Sequence, residues 1–326
     1  DIDGVLETDN LTIGGAQGSD GQVLTSTGSG VGWEDAGSGG GVTFKEEGTN
    51  FTNSLMVGDD ATGTLDAATG NVGLGIDVFA ALTSGDNNVV VGFSAGNDLT
   101  TGSRNTALGA NALDKTTTPN DNTAIGFAAM TANTTGAANV AVGKRALQTN
   151  TTANDNTALG ASAMSANTTG HSNVAVGSSA LADQTTGHSN TAVGMYSLTG
   201  VTEGFYNVGI GFQAGDSITT GDYNTVLGSN ALNVCTTGGN NTVLGSHSAT
   251  ALTDGIGNTI TGMVSAIALT TGDYNNTLGY GAGYAITTGN ENICIGSSAG
   301  LHLTTGSNNV AIGGNALNGA TTVGNQ

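Results

Sequence analysis

Basic residues, proline, cysteine, large side chains and long apolar runs are all scarce in this chain of 326 residues. Lys and Arg number 5 against 25 Asp and Glu, a formal net charge of -20. Without a basic face the chain is excluded from binding nucleic acid, whose phosphates demand one. No run of 18 apolar residues occurs, so no membrane-inserted helix is expected. Aromatic residues make up 4% and charged residues 9%, which limits any core to a thin one. Pro119 is the single proline and Trp33 the single tryptophan. The two cysteines, Cys235 and Cys294, stand in otherwise apolar positions and are expected as buried thiols rather than a disulfide; they leave the redox compartment open. Asp1 opens the chain without a Met or a signal-like segment, as expected of a processed chain or a piece of a longer one.

Glycine, in contrast, is abundant at 56 residues, and it is placed periodically. An Asn with a Gly four residues after it recurs every 17 residues, fifteen times, from Asn71/Gly75 to Asn309/Gly313, without an insertion or deletion. Surface loops tolerate changes of length. A chain that never varies over so many copies must register each copy on the next, which is the mark of a stacked solenoid.

With the Asn as slot 1, each column carries one kind of side chain. Slot 2 is Thr, Val or Ile except at Asn276; slot 3 is usually Ala, Val or Gly; slot 4 is Leu, Val or Ile except at Thr261; slot 5 is always Gly. Slot 8 is Ala or Ser apart from Val78, slot 13 is always Thr, and slot 15 is Gly in twelve copies. A short β-branched or small apolar run closed by Gly favours a strand and a turn over a helix. Seventeen residues hold two short strands and two bends but no crossover helix, so each copy is predicted to be one coil. Like slots then lie ~4.8 Å apart and fifteen coils make a rod roughly 70 Å long. The fold class expected is all-β, a parallel β-solenoid or β-roll. The Asn column, with Asn71, Asn105, Asn139, Asn173, Asn207 and Asn241, reads as an amide ladder, and the Thr column, with Thr100, Thr134 and Thr168, as a hydroxyl ladder. The Gly column, with Gly75, Gly109 and Gly143, supplies a turn of positive φ.

Slots 9 and 12 compensate. Where slot 9 is Gly (Gly96, Gly215, Gly283, Gly300), slot 12 is Leu99, Ile218, Ile286 or Leu303. Where slot 9 is Leu113, Met130, Leu147, Met164 or Leu181, slot 12 is Thr116, Asn133, Asn150, Asn167 or Gln184. Close packing with room for one large side chain per coil explains the exchange, although Phe79 with Leu82 breaks it. Slots 2 and 4 face one side of the strand and slot 3 the other, and both sides are apolar or small. One side lines the coil; the other is expected to meet identical strands of further copies, giving a homo-oligomer, most simply a trimer.

Residues 1–57 form a separate region, expected to attach and connect, and residues 58–326 the shaft. The first region is acidic, holds β-like runs at Gln22–Thr25 and Val42–Phe44 and a Gly-rich GSGGG around 38–41, and its Trp33 is expected in a small collar. A weak coil precedes the regular ones, with Gly58 in phase, Ser54 in place of the Asn and Asp66 in place of the Thr. The stretch GQVLTSTGSGVGWED resembles the junction segment of bacteriophage tail-fibre proteins, and the NTAVGxxAL…TTG coils resemble the shafts of that group. The coils are also similar to head repeats of trimeric autotransporter adhesins. The resemblance implies a homotrimer of left-handed parallel β-rolls, located on the virion or, alternatively, on a bacterial cell surface. It further implies partners among the other tail or baseplate proteins. No autotransporter membrane barrel is legible, which tilts the expectation toward the phage fibre.

Catalysis is not expected. Glycoside cleavage needs two carboxyls ~5 to 9.5 Å apart. Asp222 and Asp273 share slot 16 three coils apart, about 14 Å, and Asp121 and Asp155 share slot 17 two coils apart, roughly 10 Å. His171 and His188 share slot 16 on adjacent coils, yet no acid completes a metal site, so neither metal nor cofactor is expected. An ice-binding or ligand-binding solenoid is an alternative, but slots 13 and 14 point opposite ways and give one outward Thr row. The best candidate for contact with host surface polysaccharide is aromatic. Phe205, Tyr206 and Tyr223 cluster in sequence, and Tyr206, Tyr223 and Tyr274 share slot 17 on the outer bend. Capping of the ladder edge or filling of a groove between subunits is the structural alternative for these rings. Residues 258–279 break the pattern and are expected to bulge or to change the lumen.

Overall fold

The computed structural model describes residues 54–58 and 66–319 in full, together with the strand backbones Thr12–Ile13, Ala16–Gln17, Gln22–Ser26, Val31–Asp35, Thr43–Lys45 and Phe51–Thr52. The chain is an all-β parallel solenoid with one coil per 17-residue copy. Slots 2–4 form a three-residue strand in coil after coil, from Val89–Val91 through Thr106–Leu108 to Val310–Ile312. Each strand pairs with the same slots of the next without offset, as Val89 with Thr106 and Val91 with Leu108. The weak coil belongs to the same stack. Leu55–Gly58 lies parallel to Val72–Gly75, and Ser54 Oγ accepts the Asn71 N–H at 2.8 Å in place of the missing Asn. Gln22–Ser26 pairs antiparallel with Val31–Asp35, while the packing of Trp33 and the Gly-rich stretch lie outside the described residues. No helix among the described residues is long and apolar enough to cross a membrane.

Among the described residues, the second strand expected in each regular coil is absent; the weak coil does carry one, Ala68–Thr69, paired parallel with Phe51–Thr52. Slots 7, 9 and 17 take the left-handed conformation even where the residue is not Gly: Asn111 at φ 56°, Leu113 at 53° and Asp121 at 63°. Such a residue costs about 1–2 kcal/mol and ends an extended run. Bonding to the neighbouring coils continues nonetheless around the circuit. In the coil from Asn105, the N–H groups of Gly109, Asn111 and Asp121 reach back to Val91, Phe93 and Ser103, and those of Thr106, Leu113, Lys115 and Thr117 reach forward to Asn122, Ala129, Thr131 and Thr134. The stack imposes these conformations because every coil above and below repeats them.

The Asn column forms the ladder expected. The Oδ1 of Asn88 accepts both the Asn105 N–H at 2.9 Å and its Nδ2 at 3.1 Å, and Asn105 Nδ2 also donates to the carbonyl of Pro119 in slot 15 of its own coil. Every Asn of this column is fully buried. The Thr column differs from a hydroxyl ladder. From Thr83 to Thr219 each Oγ1 donates to the carbonyl of the next Thr, as Thr100 to Thr117 at 3.0 Å and Thr134 to Thr151 at 3.0 Å, so hydroxyl meets backbone rather than hydroxyl. Gly109 has φ 134°, and a Cβ there would stand 2.6 Å from the Gly126 carbonyl oxygen, which accounts for an invariant Gly by conformation and by space.

The lumen is lined by slots 1, 3, 8, 9 and 12; Asn105, Ala107, Ala112, Leu113 and Thr116 are all buried. The exchange between slots 9 and 12 has the steric basis expected. A Cβ at Gly215 would meet Ile218 Cδ1 at 2.9 Å, and one at Gly283 would meet Ile286 Cδ1 at 2.8 Å. The exceptional Phe79 with Leu82 fits because slot 3 of that coil is Gly73, where a Cβ would lie 3.0 Å from the Phe79 ring. Polar slot-12 residues build a second buried ladder that the sequence pattern did not announce. Asn150 Nδ2 donates to Asn133 Oδ1 at 2.9 Å, Asn167 to Asn150 at 3.0 Å and Gln184 to Asn167 at 3.5 Å. Each also donates to the slot-15 carbonyl of its own coil, Ala153, Gly170 and Gly187. Residues 258–279 form no bulge: Thr259 pairs with Asn276 and Thr261 with Leu278 in unbroken register. The lumen changes instead, with Ile260 buried in slot 3 and Ser265 Oγ 2.8 Å from Thr277 Oγ1.

Candidate functional site

Two features stand on the outside of the coil. The first is the slot-16 column, which leaves the outer bend above the slot-16 N–H of the preceding coil. A short polar side chain accepts that N–H: Asn120 Oδ1 from Ser103 at 2.7 Å, Asp222 Oδ1 from Phe205 at 2.9 Å and Asp273 Oδ1 from Ile256 at 2.8 Å. Asp222 and Asp273 are therefore acceptors for the backbone, in coils three apart. Where slot 16 carries a ring, rings stack instead. His171 and His188 have centroids 4.9 Å apart at 2°, and His188 and Phe205 lie 5.2 Å apart at 6°.

Slot 17 extends this column sideways. Tyr206 and Tyr223 are 5.2 Å apart at 16°, and both stand nearly perpendicular to Phe205, at 83° and 82°. The structure thus brings together Phe205, Tyr206 and Tyr223, three of the four aromatic candidates, and adds His171 and His188. Tyr206 and Tyr223 remain 49% and 52% exposed. Tyr274 is not part of the group. Asn240 and Gly257 fill slot 17 in the two coils between it and Tyr223, and its ring covers Gly257, where a Cβ would stand 2.6 Å from Tyr274 Cδ1. The histidines were legible as members of this column, since they precede Phe205 in the same slot on successive coils.

The parallel histidines present ring faces to each other, while their Nδ1 atoms lie 3.2 and 3.3 Å from Ser172 and Ser189 Oγ. Among the described residues, no group of three His, Cys, Asp or Glu is placed to hold a metal ion. Asp121, one member of the second carboxylate pair, is held by Arg104 through Nε at 2.6 Å and Nη2 at 2.9 Å. Those hydrogen bonds keep its carboxyl below the usual carboxylate range. Cys235 and Cys294 are buried free thiols, pushed by burial up to about 11. Asp216 in slot 10 is pushed up by burial, and its Oδ1 has no hydrogen-bond partner.

The second feature is an apolar stripe. Slots 2 and 4 face outward along the whole described rod, with Leu108, Leu227 and Leu278 between 45% and 50% exposed, and Phe93, Phe127 and Phe212 of slot 6 standing beside them. Charged side chains are absent from slots 2 and 4 throughout. Comparison with protein-family models, with curated proteins and with solved structures finds no match. The class the fold itself defines is that of parallel β-solenoid repeat proteins, whose coils carry function on their exterior columns.

Proposed function

We propose that this chain is the shaft of a homotrimeric fibre of a bacteriophage tail, projecting a receptor-binding tip from the virion. The observation that carries the reading is the apolar stripe of slots 2 and 4. An exposed stripe this long, with slot 4 aliphatic in every coil but that of Thr261 and slot 2 Val, Ile or Thr in every coil but that of Asn276, is unusual for a free monomer and marks an interface. A partner must follow it coil by coil, and identical chains around a common axis do so. The resemblance of GQVLTSTGSGVGWED to tail-fibre junction segments supports the phage assignment, with residues 1–57 joining the shaft to other tail or baseplate proteins. The work is mechanical and adhesive rather than catalytic, and the column of Phe205, Tyr206 and Tyr223 is the place where the shaft contacts host surface polysaccharide.

Light scattering on the intact chain tests the oligomer. A mass near three times 31.7 kDa is the expected result. A folded monomer would overturn the fibre reading and return a lone ligand-binding or ice-binding solenoid. The Thr column speaks against ice, since its hydroxyls already donate to carbonyls.

A further inference from the structure

A fibre made of near-identical coils has a register problem. Sliding one copy past another by a single coil, ~4.8 Å, returns nearly the same aliphatic columns to contact. One place on the stripe lacks this degeneracy. Thr261 is the single non-aliphatic residue of slot 4, Asn276 is the single amide of slot 2, and they lie on consecutive paired strands. Together with Thr259, Thr277, Leu278 and Ile295 they line an open cavity of about 210 Å³. We propose that this notch, through Thr261 and Asn276, sets the register in which copies of the chain assemble.

The inference rests on the self-association reading and specifies it. The occupant is a second copy, because only a partner of equal length with one step per coil can cover the stripe. The area available agrees: outward slots 2 and 4 of fifteen coils offer on the order of 1,500 Å² per chain, above the ~800 Å² per partner of an ordinary stable interface. In register, the Asn276 amides of the copies come to one level and the Thr261 hydroxyls to the level beside it, and each set can bond to one another or to shared water. One coil out of register, the Asn276 of one copy comes level with Thr259 and Thr261 of its neighbour, while the neighbour's Asn276 faces Ile293 and Ile295 and its amide goes unpaired. A polar residue within an apolar seam fixes alignment in coiled coils by the same physics.

Single cysteines in slot 4 of neighbouring coils, Val193→Cys and Ile210→Cys, report the register, since a disulfide tolerates little offset. The native thiols are buried and do not compete. Chains carrying one or the other are mixed and oxidised, and the linked peptides are identified by mass spectrometry. In the parent chain, same-number pairs should dominate. In a Thr261→Val/Asn276→Ile background, which restores the column consensus, pairs between 193 and 210 should rise to within about twofold of them while the oligomer mass stays unchanged. A second background moves the notch one coil toward the N-terminus by adding Leu244→Thr and Thr259→Asn. A moved-notch chain with Val193→Cys should then pair preferentially with the Ile210→Cys chain of parent background. Unchanged same-number pairing in both backgrounds overturns the register role while leaving the oligomer standing. A monomeric mass with no cross-links overturns the self-association reading itself.

Discussion

The coils from Thr116 to Gln184 and those from Val201 to Leu303 wind the same backbone around different interiors. In the first stretch slot 12 is polar and stacks as a second amide ladder beneath Leu or Met of slot 9. In the second, slot 12 is aliphatic or Cys, and slot 9 shrinks to Gly or Ala in most coils. A buried amide is tolerated where the coils above and below supply its partners, and a buried aliphatic side chain where slot 9 yields its volume. A narrow lumen therefore constrains volume coil by coil and polarity stretch by stretch. The slot-1 ladder runs through both stretches unchanged and is the common element.

Breaking that common element should have the largest effect. Asn156→Ala removes the acceptor of the Asn173 N–H and Nδ2 and the donor to Gly170 and Asn139. It should cost about 3 kcal/mol, read as a lowered denaturation midpoint. Leu269→Asn places a lone amide in the apolar stretch. Its Nδ2 can reach the carbonyl of Gly272, but neither Leu252 nor Ile286 gives its oxygen a donor, so a loss of about 2–3 kcal/mol is expected. Adding Ala266→Leu, which reproduces the Leu147/Asn150 pairing, should recover part of that loss; no recovery would refute volume sharing between slots 9 and 12.

Thr116 marks the N-terminal end of the amide stretch, and its buried Oγ1 has no partner. Thr116→Asn would extend the ladder to the Asn133 Nδ2 and to the Pro119 carbonyl, and should stabilise by about 1 kcal/mol in chemical denaturation. The last two effects concern single surface-proximal carboxyls. The slot-10 side chains of Asn97, Thr131 and Thr199 donate to the slot-7 carbonyl of the preceding coil, of Asp77, Asn111 and Ser179, whereas ionised Asp216 has no proton to give. Its raised pKa means that the neutral form is favoured in the fold. That contribution is present at low pH and is lost as pH rises through the raised value. Asp216→Asn should therefore raise the thermal midpoint slightly at pH 7 and leave it nearly unchanged near pH 3. Asp121 has the opposite sign: its carboxylate is favoured in the fold, so the contribution is lost as pH falls through the carboxylate range. Arg104→Ala should remove that acid sensitivity with little change at neutral pH, since exposed pairs contribute little.

Much of the architecture was legible in the residues. The 17-residue period, the Asn ladder and the Gly column follow from which side chains recur, because a buried amide and a crowded positive-φ turn each admit very few residue types. The exchange between Gly215/Ile218 and Leu147/Asn150 was legible as volume. Of the ring column, Phe205, Tyr206 and Tyr223 were found from density of aromatics. Tyr274 was placed with them on slot number alone, which ignores the two coils between. The second strand was wrongly expected because Leu113, Met130 and Leu147 have no local preference for the left-handed conformation they adopt.

By itself the sequence determined the coil length, the columns that must be buried and the constancy of register, since each depends on a residue type recurring at a fixed interval. The direction of the strand's two apolar faces was decided only in the folded stack. Slot 3 turned inward because the lumen admits its small side chains beside slots 8, 9 and 12, and the larger Leu, Val and Ile of slots 2 and 4 were left outside. The left-handed residues, the carbonyl partners of the Thr column and the stacking of histidine on phenylalanine likewise arise from neighbours 17 residues away, which supply bonds and contacts that no single coil contains.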